Sequence, residues 1–98
     1  MSQPPKPPMQ IQIQADSKDS EPKFSNMATI EHSDDTFLVD FLFVHGRSRF
    51  AKLLSRVALT PSHAKRLLLA LQDNVSKYES QHGTIQLGKP PADPGEIN

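Results

Sequence analysis

Residues 36–44 carry apolar side chains on both faces of an extended chain, and this restricts the fold more than any other segment. A strand of this kind needs cover on its two sides. The chain is only 98 residues long, so few other elements are available to provide that cover. One face would hold Phe37, Val39, Phe41 and Phe43, and the other Leu38, Leu42 and Val44 together with Asp40.

Four strand-like segments precede one helical segment along the chain. Residues 9–14 alternate apolar and polar side chains without a break, which predicts an edge strand. Polar, turn-forming residues separate the later segments, including Ser33-Asp34-Asp35 and the loop around Gly46. The predicted strands are residues 9–14, 24–32, 36–44 and 50–59.

The helix has clear start and stop signals. Thr60 can accept a hydrogen bond from a first-turn amide, and Pro61 suits the first helical position, where no N–H is needed. Gly83 suits the C-terminal cap, so the helix is predicted to end near His82. Residues 84–87 would then add a short extended piece. One apolar stripe follows from spacings of three and four: Ala64, Leu67, Leu68, Leu71, Val75 and Tyr78.

This order predicts an α+β fold, a four-stranded antiparallel meander with one long helix packed across it. Seven of the nine prolines lie near the ends, so residues 1–8 and 88–98 are predicted to be disordered tails around a single domain at 9–87. One helix covers one sheet face. A homodimer or higher oligomer, or an apolar partner, is therefore expected on the other, with Leu38, Leu42 and Val44 as the self-association face.

Composition excludes several classes of chemistry. The chain has no cysteine, so thiolate metal sites and cysteine nucleophiles are excluded. The four histidines lack close ligand spacing, and no nucleophile motif or phosphate-binding glycine loop is present. We therefore expect no catalytic, metal or cofactor-binding residues, no cofactor and no enzyme activity. No apolar run has the length of a signal peptide or a membrane span, so a soluble cytoplasmic protein is expected.

Asp40 is the residue that most needs an explanation, because an acid among apolar neighbours is costly to bury without a partner. If the third and fourth strands pair with Asp40 opposite Arg56, a structural ion pair satisfies both side chains. Other registers would move Arg56 away. Simple exposure of Asp40 is one alternative, and a catalytic role is the other.

A basic region offers a second interpretation. No Asp or Glu occurs between Phe41 and Gln72, although the chain as a whole has eleven basic and eleven acidic residues. A solvated face is one outcome, and a nucleic-acid surface the other, with Phe50 available for stacking. The candidate nucleic-acid residues are Arg47, Arg49, Lys52, Lys65 and Arg66, with Arg56 beside them.

A set of short sequence pieces is distributed along the chain: Phe24-Ser25-Asn26, the His32-Ser33 turn, Phe37, Asp40-Phe41, Ser55-Arg56-Val57, the run from Leu59 to Leu68, Ala70-Leu71, Asn74, Lys77-Tyr78-Glu79 and Gly83. Together these pieces resemble a family of small bacterial proteins catalogued only as a domain of unknown function. The resemblance spans roughly residues 9 to 87, with Phe24 where that family usually has tyrosine. It implies no activity. The predicted architecture also resembles the export chaperone SecB, at the level of fold alone.

The expected function is a non-enzymatic protein-interaction module, chaperone-like or an adaptor, that acts as a dimer or higher oligomer. The alternative is a small nucleic-acid-associated regulator that uses the basic region at 45–66.

Overall fold

The computed structural model describes residues 10–47 and 50–92. It is an α+β fold, with one antiparallel sheet followed by a long helix. The elements are α1 (Ser17–Ser20), β1 (Met27–His32), β2 (Phe37–Val44), β3 (Ala51–Leu59) and α2 (Pro61–His82). Within these described residues the sheet has three strands, in the order β1-β2-β3, and not the four strands of the meander expected from the sequence.

The missing strand is the alternating segment at the N-terminus. Residues 10–14 have no regular secondary structure, and Met9 lies outside the described residues. Ile11 and Ile13 are 88% and 93% exposed. Alternation favours a strand only where a neighbouring strand and an apolar layer are present, and the described part of the chain places neither beside this segment. Residues 84–87 likewise form no strand.

The second predicted strand begins three residues later than expected, at Met27. Just before it, side chains add to a single backbone bond, in which the Asn26 N–H donates to the Leu42 carbonyl at 3.1 Å. The Asn26 amide donates to the Val44 carbonyl at 2.7 Å, and its Oδ1 accepts from the Val44 N–H at 2.8 Å. Ser25 Oγ also donates to the Leu42 carbonyl at 2.9 Å. These hydrogen bonds satisfy backbone polar groups at the end of β2. The Phe24 side chain remains exposed.

β2 is the central strand and pairs antiparallel with both neighbours. Val39 lies opposite Ile30 of β1 and Val57 of β3. A bulge shifts the β2–β3 register after Phe41, so that Leu54 has no partner in the ladder. The Lys23 ammonium donates to the Leu54 carbonyl at 3.2 Å.

The core is small and centred on β2. Its buried members in the described chain are Val39, Leu42, Val44 and Leu59, each 6–9% exposed. Val39 lies on one face of the sheet and Leu42 and Val44 lie on the other, because neighbouring strand positions alternate. Both faces of β2 therefore contribute to the core.

The helix α2 follows its local signals closely. Thr60 accepts a hydrogen bond from the His63 N–H at 3.2 Å, and Pro61 is the first helical residue. Gly83 ends the helix with φ of 87°, a conformation that glycine adopts without a Cβ penalty. At 22 residues the helix is about 33 Å long.

The position of this helix differs from the expected one. α2 was expected to pack across the sheet, but no residue of this fully described helix is buried, and the extensive contacts of the chain join β1 to β2 and β2 to β3. The Cα radius of gyration is 18.3 Å, against about 13 Å for a compact domain of 100 residues. The helix is therefore not packed across the sheet. Local caps and residue spacing are enough to form this helix. They do not determine which surface packs against it.

Candidate interaction surfaces

One face of the sheet carries an ion pair. Asp40 lies opposite Arg56 in the β2–β3 ladder, and its carboxylate accepts from Arg56 Nε at 2.7 Å and from Nη2 at 2.9 Å. The hydrogen bonds from Arg56 lower the pKa of Asp40, partial desolvation opposes the shift, and the positive charge of Arg56 adds to it. The same bonds and the Asp40 charge raise the pKa of Arg56, with a smaller contribution from Glu31. Asp40 is held ionised and ties two strands together.

A second polar cluster closes the β1–β2 turn. The Asp35 carboxylate accepts from Ser33 Oγ at 2.9 Å and from Thr36 Oγ1 at 3.0 Å, and these bonds lower the pKa of Asp35. The Ser33 N–H also donates to the Thr36 carbonyl at 2.9 Å. The cluster stabilises the turn, because each of its members forms a hydrogen bond with a neighbour within the turn.

The predicted self-association residues lie on the ion-pair face. Leu42 and Val44 are buried within the single chain, and Leu38 is half-buried. Two of the three side chains therefore already belong to the core of one copy. They are not the side chains that this chain leaves exposed.

Three of the four large exposed apolar side chains of the sheet lie on its opposite face, and the fourth, Leu53, lies on the ion-pair face opposite Leu42. We call this the apolar sheet face, and its cross-strand partners follow from the register. Ile30, Phe41 and Val57 on this face are all exposed, around the buried Val39. Its members are Ala28, Ile30, Phe37, Val39, Phe41, Phe43, Val57 and Leu59.

The apolar stripe of α2 is the larger unburied surface. We call Ala64, Leu67, Leu68, Leu71, Val75 and Tyr78 the helix stripe. Its members from Leu67 to Tyr78 are 37–59% exposed. The spacing of the stripe was visible in the sequence, where it indicated a core position. A shallow groove along it is lined by Leu68, Leu71, Gln72, Val75, Ser76 and Glu79.

The end of α2 is closed by a returning segment that sequence reasoning missed. After Gly83 the chain turns back, and the Ile85 N–H donates to Glu79 Oε2 at 2.8 Å. Ile85 and Asn74 line a second groove with Val75 and Tyr78. The Glu79 side chain is thereby held beside the helix stripe. The sequence signal for this return of the chain was Gly83, followed two residues later by the apolar Ile85.

The predicted basic residues do not form one surface in the described part of the chain. Lys52 pairs with Phe43 near the start of β3, whereas Arg56 pairs with Asp40 and so lies on the other face. Arg47 lies in the β2–β3 turn, and Arg49 lies outside the described residues. Lys65 and Arg66 lie beyond the far end of β3, a nine-residue strand about 30 Å long. The structure thus divides the set between two ends of the sheet.

The histidines are spread over the fold. His32 stacks on Phe37 with ring centroids 5.4 Å apart, and His45 meets Phe43 edge-on at 4.8 Å. His82 packs against Tyr78 at 4.8 Å, one turn further along α2. No group of three or more histidine or acidic side chains suited to a metal ion occurs within residues 10–47 and 50–92.

These features define a small α+β protein whose apolar side chains are exposed along one sheet face and one long helix. The chain belongs to the family described as "Protein of unknown function (DUF3467)", whose model matches residues 1–87. This confirms the resemblance to a family of unknown function, and the match also includes the proline-rich N-terminus. No curated protein and no solved structure matches the chain, so the resemblance to SecB gains no support. None of the helices in the described residues has the length and apolar character needed to span a bilayer.

Proposed function

We propose that this protein is a non-enzymatic interaction module that works as a homodimer or higher oligomer, in the cytoplasm, as an adaptor or a chaperone-like protein. The observation that carries the proposal is the exposure of the helix stripe. Five of its six side chains are at least a third exposed in the single chain. Contiguous apolar surface of this kind is typical of interaction sites.

The small core supports the same proposal. The described chain buries four apolar side chains well, all in the sheet. A chain of this size is near the lower limit for independent stability, and association is a common way to bury more apolar surface. The apolar sheet face and the helix stripe provide that surface.

The polar clusters support a non-enzymatic role. The Asp40 carboxylate is fully engaged by Arg56, and Asp35 is engaged by the hydroxyls of its own turn. Both acids have a lowered pKa, so neither is suited to act as a proton donor near neutral pH. Their contacts have structural roles.

Sedimentation equilibrium of the purified chain between about 1 and 100 μM tests the proposal. We expect a dimer or a larger species, with the monomer appearing on dilution. A single monomeric species throughout this range would overturn the proposal. A holdase assay, in which the chain suppresses aggregation of a chemically denatured protein on dilution, separates the chaperone-like role from the adaptor role. The assay is repeated with nuclease-treated protein, so that bound nucleic acid cannot account for the result.

A further inference from the structure

The helix stripe has the spacing of a helix-pairing seam. Steps of four and three place Ala64, Leu68, Leu71, Val75 and Tyr78 on one line, which Pro61 and His82 extend by one step at each end. This is the a/d pattern with which helices pack against each other over several turns. The length of α2, 22 residues, contains three such repeats. A second helix of similar length is therefore the kind of partner that this seam fits.

The side chains that flank the seam select the orientation. Lys65, Gln72 and Glu79 are seven residues apart and lie along the same edge of the seam. The two ends of this edge carry opposite charges, and an uncharged amide lies at its centre. If two copies run antiparallel about a twofold axis near Gln72, each Lys65 faces the other copy's Glu79. In a parallel pair, Glu79 would instead lie near Asn74, and Lys65 would gain no acidic partner.

The charged side chains of α2 differ in whether they have a partner within the single chain. On the outward face, Lys77 pairs with Asp73 at 2.8 Å within the helix. Lys65 forms no ion pair or hydrogen bond in the described part of the chain. Glu79 accepts the Ile85 N–H through Oε2, which fixes its carboxylate while Oε1 makes no hydrogen bond within residues 10–47 and 50–92.

From this arrangement we infer that the helix stripe is covered by α2 of a second copy of the chain, in an antiparallel pair with two Lys65–Glu79 contacts. This inference rests on the self-association in the proposed function and specifies its interface. The twofold axis passes near Gln72, and the stripe of each copy fills the groove of the other.

Charge reversal tests the orientation. Lys65→Glu alone and Glu79→Lys alone each create two repulsive contacts in an antiparallel homodimer, and we expect each to raise the dimer dissociation constant roughly tenfold at low salt. An equimolar mixture of the two variants restores both attractions, so heterodimers should form with nearly the wild-type constant. Arg66→Glu is the matched control, because the same charge change there falls on the outward face and should leave association unchanged.

A crosslink gives a second, independent measurement. The chain contains no cysteine, so Gln72→Cys introduces a unique thiol at the proposed axis. A short bis-maleimide should join two copies of Gln72→Cys efficiently, and should join Arg66→Cys poorly. Helix content from circular dichroism checks that every variant folds.

The outcomes separate the two proposals. A wild-type chain that stays monomeric overturns self-association and the helix pair together. A stable dimer whose dissociation constant is unchanged by either reversal, with no Gln72 crosslink, overturns the helix pair and leaves the proposed function in place. Weakening in both single variants without recovery in the mixture overturns the antiparallel orientation.

Discussion

Replacing Leu71 by alanine probes the centre of the helix stripe. Leu71 is 59% exposed in the single chain, so its truncation removes little from the fold of one copy. Burial of a whole leucine side chain contributes about 1.5–3 kcal/mol. Covering the exposed 59% of Leu71 therefore contributes about 1.3 kcal/mol per copy. A symmetric dimer contains two copies of the residue, and the loss is about 2.5 kcal/mol, or roughly 60-fold in the dissociation constant.

Sedimentation equilibrium over a dilution series measures this change directly. Leu69→Ala is the matched control, because Leu69 is the same residue type, is 55% exposed and lies off the stripe. We expect association of the Leu69 variant to stay close to that of the wild type. Equal effects at both positions, or no effect at Leu71, would refute the assignment of the stripe as the buried surface.

Three further predictions concern the fold of the single chain. Leu42→Ala empties a site in the core of the sheet and should lower the free energy of unfolding by about 2–4 kcal/mol in urea titrations; an unchanged midpoint would contradict its burial. Thr60→Ala removes the helix cap and should lower the free energy of unfolding by about 1 kcal/mol. Thr60→Ser keeps the capping hydroxyl and should retain most of the wild-type stability in the same titration. The lowered pKa of Asp40 means that its ion pair stabilises the fold above about pH 4 and is lost as the pH falls below it. Asp40→Asn should thus melt at a lower temperature at pH 7 and lose less stability on acidification than the wild type, and parallel melting curves would contradict the ion pair's role.

The helix and the central strand were predictable because their signals are local. Thr60 and Pro61 begin α2 through contacts within its first turn, and Gly83 ends it through its own backbone conformation. The two-sided apolar pattern of β2 likewise indicated a central strand. It is flanked by β1 and β3, and its side chains are buried on both faces.

The candidate site was predictable only in part. Asp40 was visible as an acid among apolar residues, but its pairing with Arg56 was one register among several. A bulge beyond Phe41 changes the register for the rest of β2, which pairs with the first residues of β3. Leu42 and Val44, two of the three predicted self-association residues, are core residues in the single chain. Side-chain alternation defines two faces of a strand and does not say which one is covered.

The sequence by itself determined which segments become helix and sheet in this protein, wherever a cap, a turn or a two-sided apolar strand acts over a few residues. Only the tertiary structure decided that residues 10–14 pair with none of the strands in the described part of the chain, and that α2 leaves its stripe exposed. Both outcomes depend on contacts between segments that are distant along the chain. A periodic apolar pattern indicates that a face requires burial, but the partner that buries it is selected by the free energy of the whole arrangement, including surfaces on another molecule.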